Sequence, residues 1–146
     1  MSSDNKKIEA LFILEMLGRP PEHLVETLKE MIGKIKQEKG IEVKEEKINE
    51  PQLAKDQKDI YTTFAEIRVE VEGTMQLIVL LLKYMPAHFE IISPENINMT
   101  NNEWNELLNE LARRLHGYDE VARVLMSERN VLEQKLKKII EKEKKD

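Results

Sequence analysis

The chain has 146 residues, enough for one domain with a real hydrophobic core or one small domain with an extension. Apolar residues make up 40% and charged residues 35%, with a net charge of −5. That acidic balance takes away the basic face by which nucleic-acid binders are ordinarily recognised. The absence of cysteine excludes disulfides, thiolate catalysis and cysteine-ligated zinc.

The opening stretch, Met1 to Lys7, is polar and precedes only a short apolar run, so no signal peptide is read there. The apolar stretch Met75 to Leu82 is too short to cross a bilayer. These features point to a cytoplasmic protein with no membrane partner.

Ile8 to Met16 is a short apolar run consistent with a buried strand. Gly18-Arg19-Pro20-Pro21 breaks it, and Pro21 suits the first turn of a helix, where a missing N–H costs nothing. Leu24, Leu28, Met31 and Ile35 then form one apolar helix face, with acidic residues early, lysines late and Gly40 as the stop. Ile41 to Ile48 reads as a charged strand near a sheet edge, and Asn49 to Asp59 as a polar loop containing Pro51.

Tyr61 to Glu72 shows the clearest alternation. Ala65, Ile67, Val69 and Val71 point one way; Glu66, Arg68, Glu70 and Glu72 point the other. After Gly73, Thr74 is placed to cap a second helix carrying Met75, Leu77, Ile78, Leu81, Leu82 and Met85. Pro86 ends it, and His88 to Ile92 is a last strand before Pro94.

The order β-α-β-β-α-β is that of the split βαβ, or ferredoxin-like, arrangement: an α+β fold with two helices on one face of an antiparallel sheet. We assign residues 1–97 to this domain and 98–146 to a helical extension of coiled-coil type.

The extension contains no proline from Met99 onward, and Thr100 or Asn101 is placed to cap its start. Trp104, Leu108, Leu111, Leu115, Tyr118, Ala122, Leu125, Arg129, Leu132, Leu136 and Ile139 alternate spacings of four and three, a heptad seam. A straight helix from Trp104 to Ile139 spans about 54 Å at about 1.5 Å per residue. A domain of under 100 residues has a radius of gyration of about 12 Å. A helix of that length overhangs such a domain, and its outer seam needs a partner or stands as an exposed patch.

Gly117 costs about 1 kcal/mol relative to alanine at an exposed helix position. His116 to Asp119 could therefore be a turn, giving a helical hairpin instead of one long helix; the unbroken register favours the single helix. The expected partner is a second copy of the chain or a helix of another protein. In a parallel pair, Arg114 and Asp119 attract while Glu128 and Glu133 repel, which leaves orientation open.

No catalytic motif is present. His23, His88 and His116 fall in three different elements without a third ligand nearby, and no metal site or cofactor is read from them. Ser93 and Ser127 lack a base in context, and the five glycines form no phosphate-binding pattern. RNA-recognition domains share the strand order and stack bases on strand aromatics. Here those aromatics are Phe12, Tyr61, Phe64 and Phe89, beside an acidic sheet face that repels phosphate. The terminal lysines are interleaved with glutamates, as on a solvated helix end.

The sharpest local feature joins the first strand to the first helix: Gly18, Arg19, Pro20, Pro21, Glu22 and His23. A glycine before a helix N-terminus suits anion or amide recognition. In this position it resembles ACT domains, small-ligand regulatory modules of the same strand order, over about Ile8 to Ile92. The resemblance implies ligand binding at those six residues. ACT domains usually place a glycine directly after a proline, whereas Glu22 follows Pro21 here.

Gly18-Arg19-Pro20-Pro21-Glu22-His23, Thr62-Thr63-Phe64-Ala65-Glu66 and Leu107-Leu108-Asn109-Glu110-Leu111 are also similar to strings in a family of short, uncharacterised archaeal proteins. That resemblance implies a source and no activity. The leading expectation is a non-enzymatic assembly or adaptor protein that oligomerises through its C-terminal helix. An ACT-like ligand-binding regulator and an RNA- or ribosome-associated factor are the alternatives.

Overall fold

The structure, a computed structural model, describes residues 7–146. All of the polar opening stretch except Lys7 lies outside the described residues. The element order is β1 (Ile8–Gly18), α1 (Pro21–Gln37), β2 (Ile41–Ile48), β3 (Gln52–Leu53), β4 (Tyr61–Val71), α2 (Thr74–Tyr84), β5 (His88–Ser93) and α3 (Asn101–Lys145). The chain divides into two compact units, Met1–Asn98 and Met99–Asp146.

The first unit is an α+β domain built on an antiparallel sheet of order β2-β4-β1-β5, with β3 also paired to β4. β1 and β4 form its centre and pair over their full length, from Ile8 opposite Val71 to Gly18 opposite Tyr61. The charged β2 lies at one edge, as its composition suggested, with a bulge between Val43 and Glu45. Charged edge strands discourage unwanted pairing.

Alternation decides which face is dry. Ile8, Ala10, Phe12 and Leu14 of β1 lie beside Ala65, Ile67, Val69 and Val71 of β4. Leu28, Ile32 and Ile35 of α1 and Leu77 and Leu80 of α2 pack on these residues, so both helices cover one face. Phe89 of β5 closes the side of the cluster, its ring centroid 4.7 Å from that of Phe12. The buried hydroxyl of Thr63 donates to the Asn49 carbonyl oxygen at 2.7 Å, which removes the cost of burying it. The opposite face carries Glu9, Glu15, Glu66, Arg68 and Glu70, with Arg68 Nε 3.5 Å from Glu9.

Several local expectations are corrected. The face of α1 centres on Ile32, 1% exposed, while Met31 is only partly buried. The sequence spacing allows either residue, and the helix rotation that seats Leu28 and Ile35 selects Ile32. In α2 the buried pair is Leu77 and Leu80, and Met85 is 70% exposed because it is the left-handed C-cap at φ 46°. Thr74 does not cap α2: Gly73 is the N-cap, without a side-chain hydrogen bond.

Gly40 does not stop α1, which ends at Gln37 with Glu38 as C-cap. Gly40 instead makes the turn into β2 at φ 77°, and its carbonyl accepts from the Glu72 N–H at 3.0 Å. The loop after β2 contains β3, which pairs with Tyr61 and Thr62 along the part of β4 beyond β2.

Candidate functional site

The second unit is one helix. α3 runs unbroken through Gly117 for 45 residues, about 68 Å at about 1.5 Å per residue. The hairpin alternative is thereby excluded. Thr100 caps it in a reciprocal box: its hydroxyl accepts from the Glu103 N–H at 3.2 Å, and the Glu103 carboxylate accepts from the Thr100 N–H at 2.8 Å. Ion pairs along its surface support it locally, including Arg114 to Glu110 at 3.0 Å, Arg123 to Asp119 at 2.9 Å and Arg129 to Glu133 at 3.1 Å.

All the seam positions, Trp104, Leu108, Leu111, Leu115, Tyr118, Ala122, Leu125, Arg129, Leu132, Leu136 and Ile139, lie on this helix. The outer ones are wet: Leu115, Leu125, Leu132, Leu136 and Ile139 are each between 57% and 65% exposed. Val121, Val124, Met126, Val131 and Ile140 widen the exposed apolar surface. Leu125, Leu132 and Leu136 line a shallow apolar groove rimmed by Glu128, Arg129 and Glu133. These side chains form a row of exposed apolar residues along the solvated helix.

Gly18 to His23 forms a turn and a helix start. Gly18 closes β1 at φ 158°, and a side chain there would approach Leu24 Cδ2 at 3.3 Å. Pro20 is the N-cap and Pro21 the first helical residue; Arg19, Glu22 and His23 are exposed. A helix start ordinarily leaves four backbone donors open. Here Pro20 and Pro21 have none, and the His23 N–H donates to the Pro20 carbonyl oxygen at 3.1 Å. An anion would meet only the Glu22 N–H, beside that residue's own carboxylate.

The two helix C-termini of the first unit meet in a charged cluster that the sequence reading missed. Glu38, the C-cap of α1, accepts through Oε1 from Lys83 Nζ and from the Tyr84 hydroxyl at 2.7 Å. Lys83 Nζ also sits 5.6 Å from the Tyr84 ring centroid. The hydrogen bond from Lys83, then that from Tyr84, holds the Glu38 carboxyl below its usual range. Burial, then the bond to Glu38, pushes the Tyr84 phenol up to about 12. Glu38 is too far in sequence from Lys83 and Tyr84 for any spacing rule; only the landing of both helices on one sheet face joins them. The arrangement is a clasp between helix ends.

The strand aromatics do not form a stacking platform. Phe12 is fully buried under the helices with Phe89 against it, whereas Phe64 projects from the opposite face and is 41% exposed. The carboxylates Glu66 and Glu70 share the face with Phe64. Among the described residues no group of three or more His, Asp or Glu is placed to hold a metal ion, and no helix is long and apolar enough to cross a membrane.

The chain belongs to the MJ0538 family, whose model matches residues 9–145. This agrees with the similarity of its strings to uncharacterised archaeal proteins. Neither the curated proteins nor the solved structures contain a match.

Proposed function

We propose that this is a non-enzymatic assembly or adaptor protein, in which copies join through α3 and the globular unit serves as the recognition surface. One observation carries the reading: a continuous capped helix presents Leu108, Leu115, Leu125, Leu132 and Leu136 at heptad positions, each more than half exposed. Leaving several leucines wet on one face forfeits hydrophobic free energy, roughly 25 cal/mol for each Å² of apolar surface, that a partner helix recovers. The finer class we assign to the globular unit is ferredoxin-like, with β3 as an addition; the strand order and the two helical crossovers onto one sheet face support it.

The test is the absolute mass of the full chain, by light scattering behind a sizing column, beside Leu125→Glu/Leu132→Glu. The 17.1 kDa chain should elute as a dimer or larger, and the variant as a monomer with its circular dichroism retained. A wild-type chain that stays monomeric at high concentration overturns the self-association.

A further inference from the structure

We propose that two copies of α3 pair antiparallel, centred between Asn130 and Val131, so that Leu125 packs against the partner's Leu136. The inference rests on the self-association reading and adds orientation and register to it.

Charge placement along the seam carries the argument. With Leu108 as an a position, Arg129 is also a, Glu128 and Lys135 are g, and Met126 and Glu133 are e. A parallel pair sets like against like: Arg129 faces the partner's Arg129 within the seam, and Glu128 faces the partner's Glu133. The one attraction it offers, Arg114 with the partner's Asp119, is already weakened. Arg114 is held by its own Glu110 at 3.0 Å, and Asp119 by its own Arg123 at 2.9 Å.

An antiparallel pair matches a with d, g with g and e with e. In the proposed register Ala122 meets the partner's Ile139, Leu125 the partner's Leu136, and Arg129 the partner's Leu132. Glu128 then faces the partner's Lys135 on both sides of the two-fold axis, the kind of flanking pair that sets orientation. Among the described residues neither Glu128 nor Lys135 has an ion pair within its own chain, so both are available. Met126 with the partner's Glu133, and Val121 with the partner's Lys142, bring no like charges together.

Arg129 fits this register. Its guanidinium is tied to its own Glu133 at 3.1 Å, which leaves its methylenes to cover the partner's Leu132. Neighbouring registers are opposed. One heptad toward the N-terminus sets Glu128 against the partner's Glu128; one heptad the other way sets Lys135 against the partner's Lys135. A longer slide brings Arg114 to the partner's Lys135, and a still longer one Asp119 to the partner's Asp119.

The chain has no cysteine, so single cysteines report the pairing cleanly. Leu125→Cys and Leu136→Cys are oxidised separately and after mixing. Cross-linked dimer should form in the mixture and in neither variant alone. Like positions lie 11 residues apart along the pair, about 16 Å, beyond the reach of a disulfide. Efficient cross-linking of each variant alone, with no gain on mixing, overturns the antiparallel register.

A charge reversal gives a second readout. Glu128→Lys should weaken the dimer several-fold at low salt, and Glu128→Lys/Lys135→Glu should restore it. In a parallel pair the single change strengthens association instead, because it faces the partner's Glu133; that result also overturns the proposal. A wild-type chain that never dimerises removes the self-association reading itself, whereas a dimer with the wrong cross-links removes only the orientation.

Discussion

Replacing Tyr84 with phenylalanine removes one oxygen from the clasp and leaves the ring in place against the core. The lost hydrogen bond, 2.7 Å from Tyr84 to the Glu38 carboxylate, has a charged acceptor. Bonds of that kind contribute about 1.5–3 kcal/mol. Glu38 keeps Lys83 and its side chain is 20% exposed, so water can take the vacated site. The lower end, about 1.5 kcal/mol, is therefore expected, which lowers Tm by about 6–12 °C for a unit of this size.

The effect has a definite pH dependence. The Tyr84 phenol is raised from 10.0 to about 12 by burial and by its bond to Glu38, so its contribution is complete below pH 10 and is lost as pH climbs through 12. Glu38 is lowered from 4.5, first by the Lys83 hydrogen bond and then by that of Tyr84. Its contribution is present above pH 4.5 and is lost as pH falls through its folded-state value. The gap between wild type and Tyr84→Phe should thus be widest between those limits and close on both sides. Thermal melts across pH measure it, and a difference titration of phenolate absorbance isolates Tyr84. A difference midpoint near the ordinary value of about 10, or a Tm unchanged at neutral pH, would refute the clasp.

Three further outcomes follow from the same geometry. Ile32→Ala should cost about 2–5 kcal/mol as a buried large-to-small change, and Met31→Ala clearly less, because Ile32 is 1% exposed and Met31 only partly buried; equal losses in denaturant melts would contradict the observed rotation of α1. Thr100→Ala should remove about 1 kcal/mol by opening the capping box, seen as faster amide exchange in the first turn of α3; unchanged exchange there would count against the cap. Gly117→Ala should stabilise α3 by about 1 kcal/mol, since a Cβ there meets nothing within 4 Å; lower helicity or a lower Tm would show that Gly117 is needed as a bend.

The legible parts of the protein are those governed by neighbours in sequence. β4 announced its faces because Ala65, Ile67, Val69 and Val71 alternate with charges, and strand side chains have a period of two. The long helix was legible because the register continues past Gly117, and a single exposed glycine costs too little to break a helix with many supporting turns. The seam residues followed from the same periodicity, so the candidate interface was readable as a list of positions. The exposure of its outer part was expected as well, from helix length against domain size, and Leu125, Leu132 and Leu136 are each more than half exposed.

Other features depend on which element lands beside which. Spacing admits both Met31 and Ile32 to the inner face of α1, and packing against β1 and β4 selects Ile32. Phe12, Phe64 and Phe89 look alike as strand aromatics, yet pairing register sends Phe64 to the opposite face from the other two. The Glu38–Lys83–Tyr84 cluster joins the ends of two helices that share no local pattern. By itself, the sequence determined the three helices, the four longer strands, the dry side of β4 and the heptad seam, because 3.6- and 2-residue periods are local consequences of backbone geometry. Only the tertiary structure decided the strand order, the residue at the centre of the core and the clasp, because these follow from long-range packing that no local period encodes.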